Sequence, residues 1–118
     1  MLSYTRAMFG KKGRERERLA VACFDLVGAD YGVYASLREQ AGGLGLANEI
    51  ADDDGRLVRL PSTVLAGRFR SPDPAALRNR LYVELQRIFE VCGARGALFV
   101  FVSDQCVWAG MSPPDAKK

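Results

Sequence analysis

Two short stretches of the chain are apolar without alternation. Leu19 to Phe24 and Ala97 to Val102 contain no charged side chain, a pattern typical of strands covered on both faces in the middle of a sheet. We therefore predict that these two strands form the centre of one sheet. Each stretch is about a third as long as a membrane-spanning helix, so the pattern indicates no membrane segment.

Two amphipathic helices are predicted between these strands. Asp30 precedes the first. The second has the clearer start, because Asp73 can accept backbone N–H bonds and Pro74 suits the first helical position. Gly42, Gly43 and Gly45 are expected to end the first helix and Gly93 the second. At 3.6 residues per turn each helix carries one apolar stripe: Val33, Tyr34, Leu37, Ala41 and Leu44, then Leu77, Leu81, Leu85, Ile88, Phe89 and Cys92.

Weaker strand signals lie between the helices. A short strand is predicted at Leu46 to Ile50 and a long one at Leu57 to Phe69, which Pro61 bends or confines to an edge. Asp52-Asp53-Asp54-Gly55 separates them, and Asp-Gly favours a hairpin turn. The three aspartates could also hold calcium or magnesium, but the EF-hand spacing with its distant glutamate is missing. We favour the turn.

The order of elements predicts an α+β chain with a ferredoxin-like βαββαβ sandwich, in which an antiparallel sheet carries both helices on one face. An extra C-terminal strand is predicted at Cys106 to Met111. This domain spans residues 19–111, after a basic arm at 1–18 and before a tail at 112–118 expected to be disordered. The second face of the sheet has no helix to cover it, which predicts a homodimer.

Composition narrows the chemistry. The 118 residues suffice for one domain and include no histidine, which excludes histidine-dependent triads and histidine-ligated zinc. The three cysteines lack a C-x-x-C pair, so neither a disulfide framework nor a zinc knuckle is expected. Charges follow Phe9 where a secretory signal needs an apolar core. These observations indicate a cytoplasmic protein.

The positive charge is concentrated in the arm. Residues 1–18 carry six basic and two acidic side chains, and the remaining residues carry eleven and twelve. Lys11, Lys12 and Arg14 can attract a phosphate backbone through counterion release, although a solvated leader is the simpler interpretation.

Two further features have alternative interpretations. Arg59, Arg68 and Arg70 could form a phosphate track, or they could guard a strand edge with charge. Trp108 is interpreted as packing in an interface or core in preference to stacking on a base.

A few short motifs carry a family resemblance. Phe24-Asp25-Leu26 closes the first strand, Asp30-Tyr31 starts the first helix, and Ser62-Thr63-Val64-Leu65 lies in the later strand. On these residues the chain resembles, over roughly residues 19 to 111, the CRISPR-associated Cas-two and VapD group of small dimeric proteins. In that group, strand-end aspartates of two protomers face each other and are proposed to hold a divalent metal for phosphodiester cleavage. The resemblance implies that Asp25 is the catalytic and metal-binding residue, with magnesium or manganese as the cofactor.

The chain departs from the group's pattern before Ser62, where Leu60-Pro61 stands in place of the usual glutamine, and in its basic arm and Trp108. Two functions therefore stay open. The first is a dimeric nucleic-acid-associated protein, acting on RNA or DNA, with a metal-dependent nuclease activity. The alternative is a non-catalytic interaction module, such as an antitoxin, immunity protein or assembly subunit, that binds a protein partner through the open sheet face. In that case Asp25 only accepts backbone N–H bonds or caps the first helix.

Overall fold

The structure, a computed structural model, describes residues 16–103 and 108–110. The elements run in the order β1 (Arg16–Leu26), α1 (Tyr31–Gly42), β2 (Glu49–Ala51), β3 (Leu57–Arg59), β4 (Val64–Ser71), α2 (Pro74–Cys92) and β5 (Gly96–Ser103). The strands form antiparallel pairs in two sheets. The prediction of an α+β chain with two helices and antiparallel strands is confirmed.

Both helices begin at the predicted capping residues. The Asp30 side chain accepts a hydrogen bond of 3.0 Å from the backbone N–H of Val33. The Asp73 side chain accepts two of 3.1 Å from the first turn of α2. α2 ends at Gly93, whose φ of 71° lies in the left-handed region, as predicted. α1 ends differently, since Gly43 stays right-handed with φ −67° and Gly45 takes the positive φ of 97°.

We expect Asp73→Ala to lower the free energy of unfolding by about 0.5 to 2 kcal/mol, because two N–H groups of α2 lose their acceptor. Asp73→Asn is the matched control, since it keeps an accepting oxygen and removes only the charge that Arg18 senses. Urea unfolding of the three proteins measures the difference. A loss from Asn as large as that from Ala would assign the effect to the charge and not to the cap.

The main sheet has the strand order β4-β1-β5. β1 lies in its centre, as predicted. The prediction that Ala97 to Val102 is a second interior strand is wrong, because β5 pairs only with β1 among the described residues. β4 has the additional neighbour instead, through a bridge between Ala47 and Ala66. β5 is apolar on both faces for a different reason: one face packs on the helices and the other remains open.

The long strand predicted from Leu57 to Phe69 is broken in two. Val64 donates its backbone N–H to the carbonyl of Pro61 at 2.9 Å, and the Asn48 side chain donates to the carbonyls of Pro61 and Val64 at 2.8 Å each. The chain therefore turns between β3 and β4. β3 pairs with β2 in a separate hairpin, which confirms the predicted turn at the aspartate cluster. The strand predicted at Leu46 to Ile50 is present as the Ala47 bridge and β2.

The main core lies between the helices and one face of the main sheet. Both predicted helical stripes contribute to it, and the largest fully buried side chains are Leu37, Leu46, Leu65, Leu81 and Leu85. The ring of Phe24 meets that of Phe89 edge to face at 6.3 Å. The two helices therefore share one face of the sheet. Within the described ranges no helix combines the length and apolar character needed to cross a membrane.

β1 begins at Arg16, earlier than the predicted start at Leu19, because Arg16 to Arg18 continue the pairing with β4. Arg18 is buried and its Nε donates to the carbonyl of Ser71 at 2.9 Å. Burial lowers the pKa of Arg18, the nearby charge of Arg16 lowers it further, and Asp73 opposes the shift. The rest of the arm, including Lys11, Lys12 and Arg14, and the predicted tail lie outside the described residues.

The predicted C-terminal strand is described only at residues 108–110, and these three residues are not in a strand. The remainder of Cys106 to Met111 lies outside the described ranges. The physical reason for the difference at these three residues is that Trp108 packs against a small cluster of Leu19, Ile50 and Ala66.

Candidate functional site

The face of the main sheet that lies away from the helices is called here the open face. Side chains alternate along each strand, and residues 20, 22, 24 and 26 of β1 enter the helical core. The residues between them therefore point to the open face. Pairing places Cys23 of β1 between Val64 of β4 and Phe99 of β5. Val21 lies in the next row, between Ala66 and Phe101.

One half of the open face is covered by the chain itself. Leu19, Ile50 and Ala66 are buried there, and Val21, Leu60 and Trp108 pack around them. The β2–β3 hairpin and the residues around Trp108 therefore form a lid over this half. The interpretation of Trp108 as a packing residue is confirmed.

The other half of the open face is not covered by the described residues, and it is called here the uncovered patch: Cys23, Phe99 and Phe101, bordered by Asp25 and Ala97. Phe99 is 63% exposed and Phe101 38%, and their ring centroids lie 6.0 Å apart. Cys23 is half-buried. Two neighbouring exposed aromatic side chains on a strand mark a binding surface more often than a solvated one.

Asp25 lies at the border of this patch. It points to the open face, in the same direction as Cys23, and pairs with Ala97 near the end of β1. The residue is exposed. No hydrogen bond to its side chain is found within residues 16–103 and 108–110, and α1 is capped by Asp30. The capping role considered for Asp25 is therefore filled by another residue.

The backbone that carries Asp25 is held on a paired strand. Val27 donates its N–H to the carbonyl of Arg95 at 2.8 Å, which extends the pairing of β1 and β5 past Asp25. Gly96, with φ 151°, approaches the Asp25 carbonyl so closely that an added Cβ would overlap it. A rigid strand end places the carboxylate more reproducibly than a loop would.

The described residues of one chain supply few ligands for a metal ion. No group of three acidic, cysteine or histidine side chains that could hold a metal is found within it. Magnesium is usually held by one or two protein carboxylates together with waters, so Asp25 fits that requirement as one ligand.

In the aspartate cluster of the β2–β3 hairpin, the carboxylate of Asp52 makes its contacts within the turn. Oδ1 of Asp52 accepts backbone N–H bonds of 2.9 Å from Asp54 and from Arg56, and its other oxygen lies 3.8 Å from Arg56 Nε. These contacts account for Asp52 as a turn residue.

The arginines predicted to bind phosphate lie away from Asp25. Arg68 and Arg70 pair with Leu19 and Glu17 of β1, at the opposite end of the strand. At about 3.3 Å per residue, the separation between the Leu19 and Asp25 positions is about 20 Å. Arg68 donates to the carbonyl of Ala51 at 2.8 Å, and Arg59 is exposed on β3, paired with Glu49. Arg68 and Arg70 therefore do not form a single site with Asp25.

Sequence reasoning did not single out Phe99 and Phe101. A run of six apolar residues hides the alternation that normally reveals a half-exposed strand. The useful signal was residue size, since the open-face positions of β5 carry phenylalanine where the helix-facing positions carry leucine and valine.

Comparisons of this chain with protein-family models, with curated proteins and with solved structures find no match. Function is therefore inferred from the geometry of the chain's own residues.

Proposed function

We propose that the protein is a homodimer of ferredoxin-like subunits that associates with nucleic acid and in which two Asp25 carboxylates form a metal-dependent phosphodiesterase centre. One observation carries the proposal. Asp25 lies on the open face at the border of the uncovered patch. A second copy that covers the patch therefore brings its own Asp25 to the same interface.

The strand arrangement supports the ferredoxin-like part of the proposal. β1 lies between β4 and β5, and the antiparallel bridge from Ala47 to Ala66 puts the start of the hairpin beyond β4. This is the arrangement in which two β-α-β units interleave. The β2–β3 hairpin is then an extension of the second strand.

The apolar character of the patch supports the dimer. A twofold interface uses the same surface on both copies, and Phe99 together with Phe101 supplies the aromatic anchors that usually dominate binding. The lid formed by the hairpin and Trp108 restricts packing to the half of the face that carries Asp25. The twofold axis is therefore proposed to pass near the end of β1.

The paired carboxylates support the metal. Two carboxylates brought close together repel each other unless a cation or a proton lies between them, and carboxylate oxygens suit magnesium and manganese. When bound, the ion would activate a water molecule and stabilise charge on the phosphate. The chain's own contribution is to hold the two carboxylates on rigid strand ends. Because the chain has no histidine, it offers no imidazole base for the same task.

The basic side chains are proposed to supply additional phosphate contacts. Arg68 and Arg70 lie at the far end of the sheet from Asp25, so they would contact a nucleic acid well away from the scissile bond. Arg59 lies on the β2–β3 hairpin and would add a further contact. The arm residues Lys11, Lys12 and Arg14 would add nonspecific, salt-sensitive attraction.

The non-catalytic interaction module remains the second candidate, and the exposure of Phe99 favours it equally. In that case the uncovered patch binds a different protein, and Asp25 is a rim charge. Such a protein would be a monomer when purified alone.

Phe99→Glu tests the dimer. We expect the variant to raise the dimer dissociation constant at least about 30-fold, the effect of losing a hot-spot side chain, because a charge would be buried opposite its symmetry mate. Analytical ultracentrifugation over a dilution series measures it. Tyr31→Glu is the control, since Tyr31 is 78% exposed and lies on α1. A wild-type protein that stays monomeric at micromolar concentration would contradict the dimer and favour the interaction module.

A further inference from the structure

A groove runs between α2 and the edge of β5 that pairs with no described residue. It consists of two neighbouring cavities of about 550 Å³ and about 260 Å³. Both are lined by Tyr82 and Leu98. The larger cavity is also lined by Arg95 and Gly96, and the smaller one by Arg78. This feature is called here the α2–β5 groove.

We infer that the α2–β5 groove binds a single strand of nucleic acid, with the phosphates on its arginines and one base on Tyr82. The inference rests on the proposed association with nucleic acid, but not on the dimer or on the metal centre. The groove lies along β5, and Phe99 of the uncovered patch also lines its smaller cavity. It differs from the arm and from the Arg68 end of the sheet.

The charge of the groove favours an anionic ligand. Arg78, Arg87 and Arg95 line it, against one carboxylate, that of Glu90. Arg87 Nη1 also contacts Glu84 at 3.1 Å, which partly offsets its charge. Residues 74–103 contain four arginines and two glutamates, whereas residues 49–59 contain four acidic side chains and two arginines. The α2–β5 segment is therefore more positive than the β2–β3 hairpin.

The length of the groove favours an extended ligand. Arg78 and Arg87 lie on one helix, and the helix rises about 14 Å between them. Arg95 continues the series beyond the end of α2. Successive cationic side chains along a groove follow a phosphate backbone better than they surround one small anion.

Tyr82 favours a single strand over a duplex. It is 42% exposed and lines both cavities, so its ring is available to a ligand in either one. A base can stack on an aromatic ring only with a free face, and bases in a duplex are already stacked on each other. The side-chain amide of Gln86, which also lines the groove, offers a donor and an acceptor to a base edge. Oδ1 of Asn79 already accepts two hydrogen bonds from Arg78, so Asn79 offers its N–H groups as donors.

The groove leads toward the residue that the proposed function uses. Its Gly96 end touches the backbone carbonyl of Asp25, and Arg95 accepts the hydrogen bond from Val27. A strand lying in the groove is thereby directed to the end of β1, which the Arg68 region does not do. The edge of β5 that pairs with no described residue could also pair with an acidic peptide, and the experiment separates that outcome.

The test measures fluorescence anisotropy of a labelled twelve-nucleotide oligo(dT) and of the matching oligo(U), with full-length protein in EDTA over a range of salt concentrations. We expect Tyr82→Leu to weaken binding about 5- to 150-fold, the usual effect of losing one stacked base, without changing the salt slope. Tyr82→Phe keeps the ring and should bind like the wild type. Arg95→Gln should weaken binding and reduce the salt slope by about one.

The controls change similar side chains outside the groove. The first control is Arg80→Gln, because Arg80 lies on α2 but lines neither cavity. The second is Tyr31→Leu, which removes an exposed aromatic ring from α1. Both should leave affinity within twofold, and thermal melts of all variants verify folding. The inference is overturned if Tyr82→Leu and Arg95→Gln bind like these controls, if a labelled duplex is affected equally, or if a poly-glutamate peptide shows the same losses.

The design also separates this inference from the proposed function. EDTA removes any metal. Phe101→Glu places a charge in the uncovered patch and is expected to disrupt the dimer, but Phe101 lines neither cavity, so the same measurement on that variant is independent of the dimer. Tyr82-dependent binding by a monomeric protein without nuclease activity would support the groove and reject the metal centre. Metal-dependent cleavage that is insensitive to Tyr82→Leu would do the opposite.

Discussion

Asp25→Asn is expected to abolish magnesium- or manganese-dependent cleavage while the protein melts like the wild type. The amide keeps the shape of the carboxylate but lacks the negative charge that a divalent ion requires. Asp25 is exposed and its side chain accepts no hydrogen bond within the described residues. Its loss should therefore change the free energy of unfolding by no more than about 0.5 kcal/mol.

The assay compares wild type, Asp25→Asn and Asp53→Asn on single-stranded RNA and on duplex DNA, with magnesium, with manganese and with EDTA. Asp53 is an exposed aspartate of the hairpin turn, so Asp53→Asn makes the same chemical change away from the patch. We expect only Asp25→Asn to lose chelator-sensitive cleavage. Wild-type protein that cleaves neither substrate with either metal would reject the enzyme proposal in favour of the interaction module.

Metal binding and dimerisation should also be thermodynamically linked. If two Asp25 carboxylates share one ion, manganese binds the dimer more tightly than the monomer, so adding it must lower the dimer dissociation constant. Asp25→Asn should remove this dependence. In EDTA the variant should dimerise at least as tightly as the wild type, because the repulsion between carboxylates is gone. Ultracentrifugation with and without manganese measures both effects. A dimer dissociation constant that does not change with manganese would indicate that Asp25 lies away from the twofold axis.

Leu81→Ala is expected to have the largest effect on stability. Leu81 is fully buried at the centre of the α2 stripe. Removing such a side chain costs about 2 to 5 kcal/mol, the lost burial together with the cavity that remains. A domain of this size is usually stable by about 5 to 15 kcal/mol. The variant should therefore unfold at a much lower urea concentration.

Val91→Ala is the matched control, because Val91 lies on the same helix but is 71% exposed. It should change stability by no more than about 0.5 kcal/mol. Unfolding is compared at one fixed protein concentration, since dimerisation adds a concentration-dependent term. A loss from Val91→Ala as large as that from Leu81→Ala would contradict the assignment of the effect to the buried stripe, since alanine favours the helix at least as well as either residue it replaces.

The helices could be predicted closely from the sequence. Asp73-Pro74 and Gly93 mark the two ends of α2, and the leucines between them recur at helical spacing. These signals act over a few residues: a cap bonds to the next turn, and the stripe follows from 3.6 residues per turn. Asp25 at the end of a central strand was predicted on the same kind of local evidence. The hairpin turn at Asp52 to Gly55 was also predicted from local evidence.

The sheet's outer parts were decided only by tertiary structure. β5 has the apolar composition of an interior strand but lies at an edge of the described sheet, because strand neighbours depend on contacts far apart in sequence. Among the described residues, the β2–β3 hairpin and Trp108 cover only one half of the open face, which leaves the uncovered patch. Neither Trp108 nor the hairpin carries a local signal for where it packs.

The candidate site divides in the same way. From the sequence alone, Asp25 could be placed at a strand end, and the segments that carry the positive charge could be identified. The tertiary structure put Asp25 beside Phe99, separated it from Arg68 and Arg70, and joined Tyr82 to Arg95 in one groove. Side-chain direction along a strand alternates with every residue, so pairing register decides which residues share a face. Register is set by the whole sheet, which is why composition and spacing alone did not determine the surface.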